Sequence, residues 1–162
     1  MKLDVGSGTK QAPGYKTVDQ YCDADYQLDI TELDKFFDEN SIDEIRSSHS
    51  LEHLPRSKVD ATLRSWLKIL KPGGVCWIDV PDMASVGKLL YEAELAGNKQ
   101  KRDWYLTVMY GLQSSPGEFH VVGLTLTVLV EKMQAAGFKV EATGTEDSHA
   151  APAIQVLARK PL

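Results

Sequence analysis

The sequence predicts an α/β fold, doubly wound, with a mostly parallel seven-stranded sheet and helices on both faces. Three observations carry this. Short apolar runs alternate with helical periodicities along the 162 residues, the pattern of successive strand–helix units. The run Val75 to Val80 is mostly apolar, as in a strand covered on both faces. The first five strand ends carry Gly6 and Gly8, Asp19, Asp29, Ser48 with His49, and Asp82. In parallel sheets, ligands sit beyond those carboxyl ends.

Leu3-Asp4-Val5 reads as the first strand and stops at Gly6-Ser7-Gly8. Glycines there let the chain turn sharply and bring main-chain N–H groups close to a ligand. Tyr15 to Asp19 is the second strand and Tyr26 to Ile30 the third, after which Thr31 can cap a short helix, Glu32 to Asp38. Ser41 to Ser48 is the fourth strand, followed by His49-Ser50-Leu51-Glu52-His53-Leu54-Pro55. Val59, Leu63, Trp66, Leu67 and Leu70 recur every three or four residues, the apolar face of a helix that begins at Ser57. Lys71-Pro72-Gly73-Gly74 stops it before the fifth strand, Val75 to Asp82. Residues 83 to 95 read as a helix, 97 to 102 as a polar break, and 103 to 119 as a mixed stretch with a turn at Ser115-Pro116-Gly117. Thr125 to Ala136 is a helix ended by Gly137, and the last two strands, Phe138 to Thr143 and Ala153 to Arg159, flank a polar loop.

The length suits one domain, residues 1 to 162, with 97 to 124 as a candidate lid or acceptor insertion. A net charge of −5 provides no global basic field to draw the protein to nucleic acid or an anionic membrane. No apolar run approaches the ~20 residues of a membrane helix. The amino terminus reads as a strand rather than a signal peptide, and the two cysteines, Cys22 and Cys76, lack metal spacing. A cytoplasmic location is the expectation.

A strand, a glycine turn and a second strand ending in an acid form a nucleoside half-site, in which the acid accepts from both ribose hydroxyls. The dinucleotide fingerprint is not met: its third glycine would fall at Gln11, and Asp19 comes too soon after the turn. A pyrophosphate ligand is therefore disfavoured.

These residues resemble the class I S-adenosylmethionine-dependent methyltransferases, of the compact methyltransferase-domain type with a Rossmann-like sheet. The matching stretches are Leu3 to Gly8, Pro13-Gly14-Tyr15, Val18-Asp19, Asp29-Ile30, Ser48 to Leu54, Leu70 to Gly74, Val80-Pro81-Asp82 and Ala136-Gly137-Phe138. The resemblance implies S-adenosylmethionine as cofactor. Gly6, Ser7 and Gly8 would lie against its methionine part, with Asp4 anchoring the turn or the amino group. Asp19 would bind the ribose, Asp29 the adenine amino group, with Ile30 on the ring, and Ser48 and His49 would line the pocket near the sulfonium. One departure stands out: only Thr9 to Gly14 separate the glycine turn from the second strand, so the helix common there in the family is short or absent.

The activity so implied is methyl transfer to a small molecule or a saccharide hydroxyl. The alternative is a non-catalytic relative acting as a cofactor-binding or scaffold subunit, and the sequence leaves room for a homodimer. Positioning and removal of one proton can suffice for methyl transfer. Candidate bases are His49, His120 and Asp82; His53, between Leu51 and Leu54, reads as a packing residue. His49 to His53 also matches H-x-x-E-H, the inverted zinc-peptidase pattern. That pattern needs both imidazoles on one helical face and a third ligand, whereas His49 ends a strand and Pro55 comes directly after Leu54. No metal is expected.

Overall fold

The structure is a computed structural model that describes residues 1–10 and 12–162. Its six strands, β1 (Lys2–Val5), β2 (Lys16–Val18), β3 (Ile42–Ser48), β4 (Leu70–Pro81), β5 (Lys139–Ser148) and β6 (Ala151–Arg159), form one sheet in the order β2-β1-β3-β4-β6-β5. β1, β2, β3 and β4 pair in parallel, and β6 runs antiparallel to both β4 and β5. The helices are α1 (Arg56–Ile69), α2 (Met83–Leu95), α3 (Lys99–Tyr110) and α4 (Leu126–Ala136). None is long and apolar enough to cross a membrane. The mostly parallel, Rossmann-like α/β class is borne out, with six strands in place of seven; α1 and α4 cover one sheet face, and the other, which was expected to carry helices too, carries charged pairs instead.

The missing strand is Tyr26 to Ile30, which makes a single bridge, Val18 to Tyr26. Its neighbours are held by side chains rather than a ladder: Asp19 takes the N–H groups of Tyr21 and Cys22, and Asp25 takes that of Thr17. Asp29, not Thr31, caps the next element, a 3-10 helix over Ile30–Lys35. Lys71 to Gly74 ends α1 as expected but lies inside β4, as a bulge between the Ile42–Leu70 and Glu44–Val75 pairs. Two further elements escaped the sequence pattern. α3 occupies part of the expected polar break, capped by the Asn98 side chain. β5 and β6 form a continuous hairpin through His149 and Ala150, both at positive φ. Residues 141–147 of β5 are all exposed, so no apolar alternation marks them.

Register divides the sheet into two unlike faces. Leu3, Ile45, Cys76 and Ala158 stand side by side, as do Val5, Ser47, Ile78 and Val156. The apolar members form one core with Leu63 and Trp66 of α1 and Leu129 and Met133 of α4. On the other face Asp4 pairs with Arg46 at 2.7 Å, Arg46 lies over the Trp77 ring at 5.1 Å, and Lys2 pairs with Glu44 at 2.7 Å. α2 and α3 build a separate small core of Val86, Val108 and Ala151. Ala151 begins β6, so this core lies at the carboxyl end of the parallel strands.

Gly6 and Gly87 test the backbone logic. A Cβ on Gly6 (φ +66°) would lie 2.3 Å from Ser50 Oγ, whereas one on Gly87, in α2, meets nothing within 4 Å. Gly6→Ala is expected to destabilise by about 1–3 kcal/mol. Gly87→Ala is expected to stabilise by about 0.5–1 kcal/mol. Denaturant unfolding of both variants checks the pair.

Candidate functional site

β1 ends at Val5, and Gly6 and Gly8 turn the chain with positive φ. The Ser50 hydroxyl, which donates to Val5 O at 2.9 Å, occupies the space a Gly6 side chain would need. Asp19, 8% exposed, accepts from Gly8 N (2.8 Å), Tyr21 N (2.8 Å) and Cys22 N (2.9 Å). Its carboxylate therefore fixes the glycine turn to the 20–22 loop. A carboxylate has about four acceptor positions, so Asp19 retains one for a ligand. Gly6, Gly8, Asp19, Asp29, Ile30 and His49 line a cleft of about 600 Å³.

A second cleft, about 310 Å³, lies between α3 and the β5–β6 hairpin, with Trp104, Val108, His120 and Pro152 in its wall. His49, His53, Gly117 and Glu118 line both clefts. His49 sits at φ 53°, in the left-handed region rarely used by residues other than glycine. Its Nε2 is 2.9 Å from Ser148 Oγ and 3.6 Å from Asp79, and its Nδ1 is 3.2 Å from Glu52. Burial works against charge on His49, but Glu52, supported by Asp79, outweighs it and holds the imidazole above its ordinary range. Burial drives the Asp79 carboxyl upward and the His120 imidazole downward. His49 is thus the basic member of the group and His120 the neutral one.

Of the residues expected from the sequence, Gly6, Gly8, Asp19, Asp29, Ile30 and His49 meet at the larger cleft and His120 at the smaller. Four line neither cleft. Asp4 turns to the polar sheet face and pairs with Arg46, because its neighbours Leu3 and Val5 take the core side. Ser7 keeps its hydroxyl oxygen buried and without a hydrogen-bond partner. Ser48 Oγ donates to Asp79 at 3.2 Å. Asp82 caps α2, accepting from Ala84 N and Ser85 Oγ. Glu52 and Asp79 were missed. Each is a lone acid within an apolar run, Leu51-Glu52-His53-Leu54 and Trp77-Ile78-Asp79-Val80, and that pattern was the available signal.

Comparison with known proteins agrees with the fold. Residues 9–78 match the family described as "Methyltransferase domain". The 1,6-didemethyltoxoflavin-N1-methyltransferase of Burkholderia thailandensis, solved with 1,6-didemethyltoxoflavin and S-adenosylhomocysteine bound, superposes with a TM-score of 0.68 at 16% identity, over 99% of this chain and 71% of that one. A SAM-dependent methyltransferase of Methanosarcina mazei gives 0.68 at 14% identity, over 99% of this chain and 92% of that one. The cyclase SpnF gives 0.62 at 17% identity, over 99% and 74%. No curated protein matches the chain in sequence. The class I methyltransferase resemblance read from the sequence is borne out in family match and in fold.

The staple role of Asp19 has a measurable consequence. Without any ligand, Asp19→Ala is expected to lose about 1.5–3 kcal/mol of stability, as for removal of a charged hydrogen-bond partner. Asp19→Asn, which keeps one acceptor oxygen, is expected to lose less. Equilibrium unfolding in urea separates them.

Proposed function

We propose that the chain is an S-adenosylmethionine-dependent methyltransferase acting on a small-molecule or saccharide acceptor. One observation carries this reading: two clefts, one nucleoside-sized and one smaller, share a wall made by His49 and His53. The larger cleft fits the cofactor in volume, in the open Cβ position at Gly8, and in the acid–apolar pair Asp29-Ile30 in its wall. Gly6 and Gly8 would hold the methionine part, the free position of Asp19 a ribose hydroxyl, and Asp29 the adenine amino group. When bound, S-adenosylmethionine supplies an activated methyl group.

The remaining work falls to the chain itself. The smaller cleft orients the acceptor between Trp104, Val108 and Pro152 and excludes water. His49, basic and fixed by Glu52, Asp79 and Ser148, stands at the shared wall, where it can take the acceptor's proton at one of its ring nitrogens. Residues 97–124 act as the lid: α3 and the segment after it wall the smaller cleft, and Ser115 to Glu118 also reach the larger one.

The short connection Thr9–Gly14 and the fold shared with SpnF favour a second reading, a cofactor-binding protein without methyl transfer. Calorimetric titration with S-adenosylmethionine and S-adenosylhomocysteine tests the site. We expect binding that Asp29→Asn weakens by about 1.5–3 kcal/mol; no binding by either ligand would remove the proposal. Binding with no methylated product from an acceptor panel would favour the second reading.

The lid has its own test. A Cβ on Gly111 would lie 1.9 Å from Glu118 O. Gly111→Ala is expected to speed amide exchange across residues 111–120 and abolish transfer, while exchange in β1, β3 and β4 stays slow. Unchanged exchange in 111–120 would contradict this role.

A further inference from the structure

Glu52 is 1% exposed, yet neither carboxylate oxygen has a hydrogen-bond partner. His49 Nδ1 stands 3.2 Å from one oxygen, at ion-pair range but out of line for a hydrogen bond. Burying a carboxylate without donors is costly; the His49 ion pair engages one oxygen and leaves the other for a second positive partner. Two imidazoles face Glu52. His53 and His120 pack edge to face, with ring centroids 4.8 Å apart. One ligand atom from each of Glu52, His53 and His120 lies within 4.8 Å of the others.

The tautomers of both histidines can be read from their partners. His53 Nδ1 is 3.0 Å from Phe119 O, and His120 Nδ1 is 2.7 Å from Val108 O. A carbonyl oxygen only accepts, so each Nδ1 carries a proton, and either ring in its neutral form presents a lone pair on Nε2. Metal-binding histidines are commonly oriented this way, through a carbonyl on the other nitrogen. The backbone holds the two segments together: Val121 N and Val122 N donate to Glu52 O at 2.7 and 3.1 Å, and His120 N donates to Tyr110 O at 3.0 Å. Residue 120 is thereby fixed beside residues 52 and 53.

We propose that Glu52, His53 Nε2 and His120 Nε2 form a binding site for a divalent transition-metal ion at the wall between the two clefts. Two imidazoles and one carboxylate suit zinc and its first-row neighbours and leave a coordination position open. Metal–ligand bonds of ~2.0–2.1 Å put ligand atoms roughly 3.3 Å apart, so the three groups would draw together from a spacing of up to 4.8 Å. This is not the H-x-x-E-H arrangement, because His49 is not a ligand and Glu52 is one. The open position faces the smaller cleft, which both histidines line. An acceptor hydroxyl bound there would be acidified as metal-bound water is, easing transfer of its proton to His49 in the same wall. That role rests on the proposed methyl transfer; the metal site does not.

The test uses the whole chain, stripped with a chelator and free of S-adenosylmethionine. Zn²⁺ is titrated by calorimetry, and Co²⁺ by its visible absorption. The expected result is one equivalent bound, with the stronger Co²⁺ bands of a four- or five-coordinate site. Binding should fall by roughly 100-fold or more in Glu52→Gln and in His120→Asn, and persist in His149→Asn, which tests for capture by a surface histidine. Retained circular dichroism and melting behaviour in either ligand variant keeps the comparison valid if the other misfolds. No binding, or binding equally strong in the folded ligand variants, would overturn the proposal. Metal binding without any methylated product would leave the metal site standing and count against the activity.

Discussion

Both clefts depend on how the chain leaves β3. His49 adopts the left-handed conformation, which costs roughly 1–2 kcal/mol for a residue with a Cβ. The surroundings hold it there: His49 N donates to Asp79 O at 2.8 Å, extending the β3–β4 pairing by one bond. The reversal then sends Ser50 under the glycine turn and Glu52 into the interior. An extended residue at this position would carry Ser50 away from Val5 and leave the glycine turn unsupported. Strain of this kind persists where neighbouring contacts over-determine it, commonly at functional sites.

The polar groups around this break are arranged by burial. Asp79 and Glu52 are each nearly inaccessible, and His49 lies between them. Water cannot screen these charges, so each carboxylate acts on the imidazole more strongly than it would at a surface. The same sheet face, nearer the amino ends of its strands, uses charge differently. Asp4, Arg46, Lys2 and Glu44 neutralise one another in neighbouring strands, and Tyr15 donates to Glu44. Burial and Glu44 push the Tyr15 phenol up to about 12. That end of the sheet is built from lateral pairs, and none of these residues lines a cleft.

Much of the sheet was legible because its elements carry local signals. β1, β3 and β4 have apolar residues on the core side, α1 and α4 have helical apolar stripes, and Gly137 ends α4 in the left-handed region expected of a helix stop. The glycine turn and the acids Asp19 and Asp29 were legible for the same reason. Each sits directly after an apolar run, where a parallel sheet places its ligands. The Tyr26 to Ile30 strand, α3 and the outer half of β5 were not, because side-chain bonds, a cap or a hairpin partner decided them rather than periodicity.

The sequence by itself determined the class of fold, the order of its elements and the end of the sheet at which a nucleoside-sized ligand would sit. Tertiary structure decided the direction of each polar side chain and the company it keeps. Asp4 and Asp82 look like site residues along the chain, yet one faces the far side of the sheet and the other caps a helix. Glu52 looks like part of a short apolar motif, yet it meets His120, which the chain brings back only after three helices. Period-two and period-3.6 patterns act over a few residues and survive in the sequence. A meeting between residues 52 and 120 depends on loop paths and backbone bonds that no local pattern encodes.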